Sequence, residues 1–110
     1  MKHRDVTLAP AASLDIAEAF DDELVAHGLA AALRLNDRID HALESLMTLS
    51  ERGRIVPELR ARGVTTYREI VVTTFRVVYR VEPDQVWVLA VVDHRRDLDG
   101  ILLARARRDR

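Results

Sequence analysis

The sequence contains no cysteine. That excludes a disulfide framework and any thiolate-ligated metal, and it is compatible with a reducing compartment. Long apolar runs are also missing. The longest, Val86 to Val92, is far too short to cross a bilayer. None follows the basic start Met1-Lys2-His3-Arg4-Asp5, so the beginning does not read as a signal peptide. The chain is therefore expected to be soluble, without a membrane partner. There is no Gly-rich phosphate loop, no HExxH and no serine nucleophile elbow. His3, His27, His41 and His94 are scattered, with no pair at i, i+4. Neither a metal nor a cofactor is expected.

Lysine is nearly absent as well, and the cations that are present are almost all arginine. They are unevenly spread along the 110 residues. Residues 1–51 hold four Lys+Arg against ten Asp+Glu, a net −6; residues 52–110 hold thirteen Arg against eight Asp+Glu, a net +5. Arginine presents a planar fork that suits carboxylates, phosphates and aromatic faces. High-GC codon usage and a solvated surface would explain many of these arginines equally well. The length suits one domain, and the 48% apolar content is enough for a modest core.

Val6-Thr7-Leu8 is a short strand candidate, and Pro10 marks a helix entry. Ile16, Phe20 and Leu24 recur every four residues between Ala11 and His27, which is helical spacing. Gly28 is a suitable stop. A second helix is expected from Leu29 to about Leu49, with Ala32, Leu35, Ile39, Ala42, Leu46 and Leu49 on one stripe. Two helices joined at one glycine form an antiparallel hairpin, and their stripes read as core. The connector Arg54 to Thr66, with Pro57 and Gly63, is expected to be irregular.

Strand patterns take over from Tyr67 to Val72, from Phe75 to Val81 and from Val86 to Val92. In the second of these, Phe75, Val77, Tyr79 and Val81 share one face while Arg76, Val78 and Arg80 share the other. The third is apolar on both faces, as a central strand covered on both sides would be. Leu98 to Arg107 is compatible with a short last helix; loose ends are expected at about residues 1–5 and 108–110. The predicted fold is α+β, β-α-α-β-β-β, with the helical hairpin on one face of a small antiparallel sheet. The other face would be partly open, with Arg76 and Arg80 about 7 Å to either side of Val78 along the strand.

In this order and spacing, several motifs resemble the RelE/ParE family of bacterial type II toxins, and more closely its ParE branch. They are the hairpin followed by Gly53-Arg54-Ile55-Val56-Pro57-Glu58, the pair Arg68-Glu69 opening a strand, the strand Phe75-Arg76-Val77-Val78-Tyr79-Arg80-Val81, and a Val-rich strand running into Arg95-Arg96-Asp97-Leu98. The resemblance spans about Leu8 to Leu103. Many relatives end the last strand with His-Gly-Arg-Arg-Asp; here Asp93 takes the histidine position and His94 the glycine position. The Thr73-Thr74 turn also lacks the glycine often found there.

The resemblance implies a cytoplasmic toxin held inactive by a co-expressed ParD-like antitoxin, with no sequence-specific DNA binding by this chain alone. ParE-type members act on DNA gyrase; RelE-type members cut messenger RNA on the ribosome. RNA cleavage by 2′-hydroxyl attack needs a base, an acid and cations around the phosphate. If the chain were such a nuclease, Arg76, Arg80, His94 and Arg95 would carry the reaction, since only His94 among the candidate bases has an ordinary pKa near neutrality. Glu58 and Glu69 read better as ion-pair partners of nearby arginines. RelE-type members usually place a tyrosine or histidine near the C-terminus, and no tyrosine follows Tyr79 here. The favoured expectation is therefore a gyrase-binding toxin with no turnover. Arg68, Arg76, Val78 and Arg80 would dock an acidic, partly apolar antitoxin segment. Arg95, Arg96 and Asp97, with the hairpin, would meet the target. The alternatives are the ribosome-dependent endoribonuclease and a non-toxic member that still binds antitoxin.

Overall fold

In a computed structural model, which describes residues 2–109, the chain forms nine elements. Strand β1 (Asp5–Leu8) leads through Pro10, the first helical residue, into α1 (Pro10–His27). Proline fits there because its fixed φ suits a helix and a first-turn N–H would have no helical partner. Gly28, at φ 92°, donates its N–H to the Leu24 carbonyl and turns the chain back into α2 (Leu29–Ser45). A left-handed joint of this kind carries little penalty only at glycine.

Strands β3 (Tyr67–Val72), β4 (Phe75–Val81) and β5 (Gln85–Asp93) form an antiparallel meander, as the alternation predicts. The sheet has five strands in the order β1-β5-β4-β3-β2. It is mixed instead of purely antiparallel, because β1 pairs parallel with β5, Asp5 opposite Gln85 and Leu8 opposite Val88. The connector expected to be irregular holds a two-residue strand, β2 (Arg54–Ile55), paired to Glu69 and Arg68, and one helical turn, α3 (Pro57–Arg60).

The hairpin face of the sheet carries Ile70, Val72, Val77, Tyr79, Val86, Val88 and Val91 against Ala12, Ala19, Leu35, Ile39, Ala42 and Leu46. Two residues of the predicted stripes are exposed: Leu24 at 38% and Leu49 at 49%. Leu24 sits near the hairpin tip, beyond the sheet, and α2 ends at Ser45, so Leu49 belongs to the following turn.

The opposite face is covered, which corrects the open face expected from the strand pattern. Helix α4 (Asp99–Arg108) and α3 lay Leu98, Leu102, Val56 and Leu59 over Val78, Leu89, Ala90, Val92 and Tyr67. A bulge in β5 opposite Val78 and Tyr79 makes this two-sided burial possible. It inserts Leu89 as an extra residue, so Val88 and Val91 pack on the hairpin side while Leu89, Ala90 and Val92 pack on the other. The ends expected to be loose are also tied. Arg4 donates to the carbonyls of Met47 and Glu82, and Asp109 is bound to the sheet; Met1 and Arg110 lie outside the described residues.

Candidate functional site

Covering the second face changes what its arginines can do. Arg76 is 8% exposed. Its guanidinium grips Glu58 with two parallel bonds of 2.5 and 2.6 Å, and its Nε donates to Glu69 at 2.6 Å. Arg54 donates to the other Glu69 oxygen at 2.7 Å, so a carboxylate with a fully buried side chain is held between two cations. The pair with Arg76 holds Glu58 below the usual carboxylate range, and the same contact raises Arg76 further above neutrality. Charge-assisted forks of this kind are strong and fixed in direction. Glu58 and Glu69 are thus ion-pair partners, as read from the sequence.

Arg80 is held at the other end of β4. It bonds Glu82 and Asp109 and lies 5.5 Å from the centre of the Trp87 ring. Asp109 also accepts from the Tyr67 hydroxyl and from Trp87 Nε1, the latter at 2.9 Å. Burial, and then the Asp109 carboxylate, push the Tyr67 phenol up to about 12. Val78, between the two arginines, is completely buried. Three of the residues expected to meet an antitoxin, Arg76, Val78 and Arg80, are therefore engaged inside the fold. Arg68 is half-buried and clasps the Gly53 carbonyl at 2.8 Å.

The nuclease set does not converge. In the β4–β5 ladder Arg80 faces Trp87, whereas His94 follows Asp93, which faces Phe75 at the opposite end. Five residue steps separate those levels, about 17 Å along the strand. His94 is exposed and its backbone N–H bonds the Thr74 carbonyl at the end of the strand. Arg95 forks onto Asp93, holding that carboxyl down at about 2. Among the described residues, no three His, Asp or Glu side chains gather as a metal site would need.

A groove of about 640 Å³ opens where β5 ends, between the hairpin and the Thr73-Thr74 turn. Asp15, Glu18, Asp22 and Glu23 of α1 form one wall; Arg34 and Arg38 of α2 and Arg95 and Arg96 form the other. The region expected to meet a target thus lies beside the exposed hairpin tip, where Val25 is 88%, Leu29 58% and Leu33 49% exposed. Two functions here were missed from sequence. Asp15 accepts the Val91 N–H where β5 has outrun β1, and it receives a fork from Arg105 that ties α4 to α1. Arg34 and Arg38 stand free on α2, without a carboxylate within 4 Å among the described residues. Their signal was present: they are the only Lys or Arg between Asp5 and Glu51, at i, i+4 spacing on one helix face.

Comparison with known proteins places this architecture. Residues 6–98 match the family described as "ParE toxin of type II toxin-antitoxin system, parDE". Among solved structures, the chain is similar to one titled "Chromosomal ParDE TA system from P. aeruginosa". The TM-score is 0.69 at 18% identity, covering 83% of this chain and 96% of that one, a likeness of fold. No curated protein sequence gives a significant match.

Proposed function

Because the chain belongs to the ParE toxin family of type II toxin–antitoxin systems, we propose that it is a cytoplasmic toxin that inhibits DNA gyrase by binding it, and that a ParD-like antitoxin neutralises it. The observation that carries this reading over mRNA cleavage is the closure of Arg76. A cation meant for a scissile phosphate has to be available to it; this one is buried and holds two carboxylates. The remaining nuclease candidates are split between the two ends of β4 and β5.

Binding without turnover asks only for a surface. Arg96 and Asp97 are exposed, and the hairpin tip beside them presents Val25, Leu29 and Leu33. An apolar patch rimmed by charge is the usual form of a protein contact. We assign target binding to this end of the molecule, with Arg95 positioned by Asp93.

The test is a supercoiling assay with antitoxin-free protein and purified gyrase, run in parallel with transcript sequencing after induction. The expected result is loss of supercoiling, a DNA-damage response and intact transcripts. Full supercoiling at large molar excess of folded protein would remove the reading. Codon-linked cuts in mRNA would replace it with the endoribonuclease. Unaffected growth on strong induction would leave a member that binds antitoxin and has lost toxicity.

A further inference from the structure

The two layers that sandwich the sheet carry opposite charge. On one side α1 bears Asp15, Glu18, Asp21, Asp22 and Glu23, and neither lysine nor arginine. On the other, the cover formed by α3 and α4 ends in cations. Arg60 and Arg62 close α3, and Arg107 and Arg108 lie in the last turn of α4. All four are exposed, and none has a carboxylate within 4 Å among the described residues. The acids nearest to them in sequence are already used. Glu58 is held by Arg76, and Asp109 by Arg80. Asp97 and Asp99 lie at the other end of α4, whose ten residues span about 15 Å.

The fold brings these arginines to one place and holds them there. Gly63, at φ 80°, donates its N–H to the Arg60 carbonyl at 2.9 Å, and Val64 donates to the Leu59 carbonyl at 2.9 Å. This paired closure fixes the end of α3 and sets Arg62 at its cap. The chain then enters β3 at Tyr67, whose hydroxyl bonds Asp109 at the end of α4. Val64 and Ala106 both pack on the cluster that contains Tyr67. The ends of α3 and α4 therefore converge at the Tyr67 end of β3. The Thr73-Thr74 turn, where Thr73 holds φ 52°, is at the opposite end of that strand. Cations at a helix C-terminus complement its dipole, which suits Arg107 and Arg108. A helix of four residues has few aligned peptides, so the same reason accounts poorly for Arg60 and Arg62.

We infer that this arginine face contacts the phosphate backbone of duplex DNA, the duplex that the target enzyme holds. The inference rests on the proposed gyrase reading for the source of the DNA. Guanidinium forks match phosphate oxygens, and such contacts position a protein without reading sequence. An enzyme that works on DNA presents cations to it. Charge alone then turns the acidic α1 toward the enzyme and the arginine face toward the duplex. A single strand fits less well, because its binders stack bases on aromatic side chains. Neither α3, α4 nor the turn from Ala61 to Thr66 carries one. An acidic protein segment asks for apolar surface beside the charges; Leu59, Leu98 and Leu102 are buried in the core.

The probe is a labelled duplex of arbitrary sequence, about 20 base pairs or two helical turns long, titrated into isotope-labelled full chain and followed by NMR. The largest amide shifts are expected from Arg60 to Gly63 and from Arg105 to Arg108. Four phosphate contacts predict a slope of about −3 to −4 in log affinity against log salt, about a hundredfold loss between about 50 and about 200 mM. Arg62→Gln with Arg107→Gln should reduce that slope by about two. Changing all four arginines to glutamine should abolish duplex binding and weaken gyrase inhibition about tenfold or more, with the urea midpoint unchanged. Shifts centred on the hairpin tip, or in the groove of about 790 Å³ lined by Arg34, Arg38 and Arg52, overturn the inference. So does tighter binding of a single strand, or of an oligoglutamate of equal charge. Equal gyrase inhibition by the parent and the fourfold variant removes the DNA contact and keeps the target. Duplex binding by a chain that leaves gyrase fully active removes the target and keeps the arginine face.

Discussion

Arg76 and Arg38 are both arginines on elements that frame the same sheet, and they live in opposite circumstances. Arg76 is buried with two carboxylates and has no remaining freedom. Arg38 lines two grooves, is exposed and has no carboxylate within 4 Å among the described residues. The same division holds for Arg80 and Arg105 on one side and for Arg34, Arg52 and Arg96 on the other. Arginine count therefore says little about function in this chain. What separates the two groups is whether the fold supplies the counter-charge. Where it does, the arginine fastens one element to another; where it does not, the guanidinium is left to solvent.

That contrast can be broken by substitution. The largest effect is expected for Arg76→Ala, which strands Glu58 and Glu69 without their shared cation and should cost about 3–5 kcal/mol in urea unfolding. A loss below about 1 kcal/mol would place Arg76 with the free group. Next is Asp15→Ala, which removes the acceptor of the Val91 N–H and the anchor of Arg105 together. A loss of about 2–3 kcal/mol is expected, with faster hydrogen exchange at Val91. Thr73→Gly should act in the other direction. Relief of the left-handed strain should gain about 1 kcal/mol, a rise of about 4 °C or more in Tm. The smallest effect is expected for Arg34→Ala and Arg38→Ala, within about 0.5 kcal/mol of the parent chain.

Alkali tests the closed region without mutation. Tyr67 in the fold ionises at about 12 and not at its ordinary value near 10. The folded state therefore keeps the proton that the unfolded chain gives up. The resulting stabilisation is complete below about pH 10 and is lost as the pH rises toward 12. Phenolate absorbance should show both tyrosines titrating late, because burial raises Tyr79 as well, and Asp109→Asn should bring down the Tyr67 titration alone. An unchanged titration in the variant would detach Tyr67 from the Asp109 cluster.

The parts of this fold that were legible from sequence are those with local periods. The Phe75 to Val81 alternation predicts β4 and its two faces, and Gly28 with the stripe from Ala32 to Leu46 predicts the hairpin. The cover of the second face was not legible, because Val56, Leu59, Leu98 and Leu102 are too few and too separated to show a period. Lacking that cover, the Arg76–Val78–Arg80 face reads as a surface. The clamp on Arg76 joins residues 58, 69 and 76 from three elements, and Asp15 meets Arg105 across 90 positions; neither spacing is a motif. The direction of β1 depends on where α1 has to start, which is a tertiary condition. Arg34 and Arg38 were visible as charges, but nothing in the sequence says which charges the fold will leave unmatched.

The parallel pairing of β1 with β5 has a consequence for how the molecule comes into being. Asp5 finds its partner only at Gln85, so about four to fifteen seconds of synthesis separate the two strands at ordinary elongation rates. Throughout that interval the hairpin exists without most of the sheet that buries Ala12, Leu35 and Ile39. Its apolar stripe has only the facing helix to lean on. Closure joins the most distant contacts last, which predicts slow folding for a domain this small and a late intermediate in which the meander is formed and the first strand is still outside.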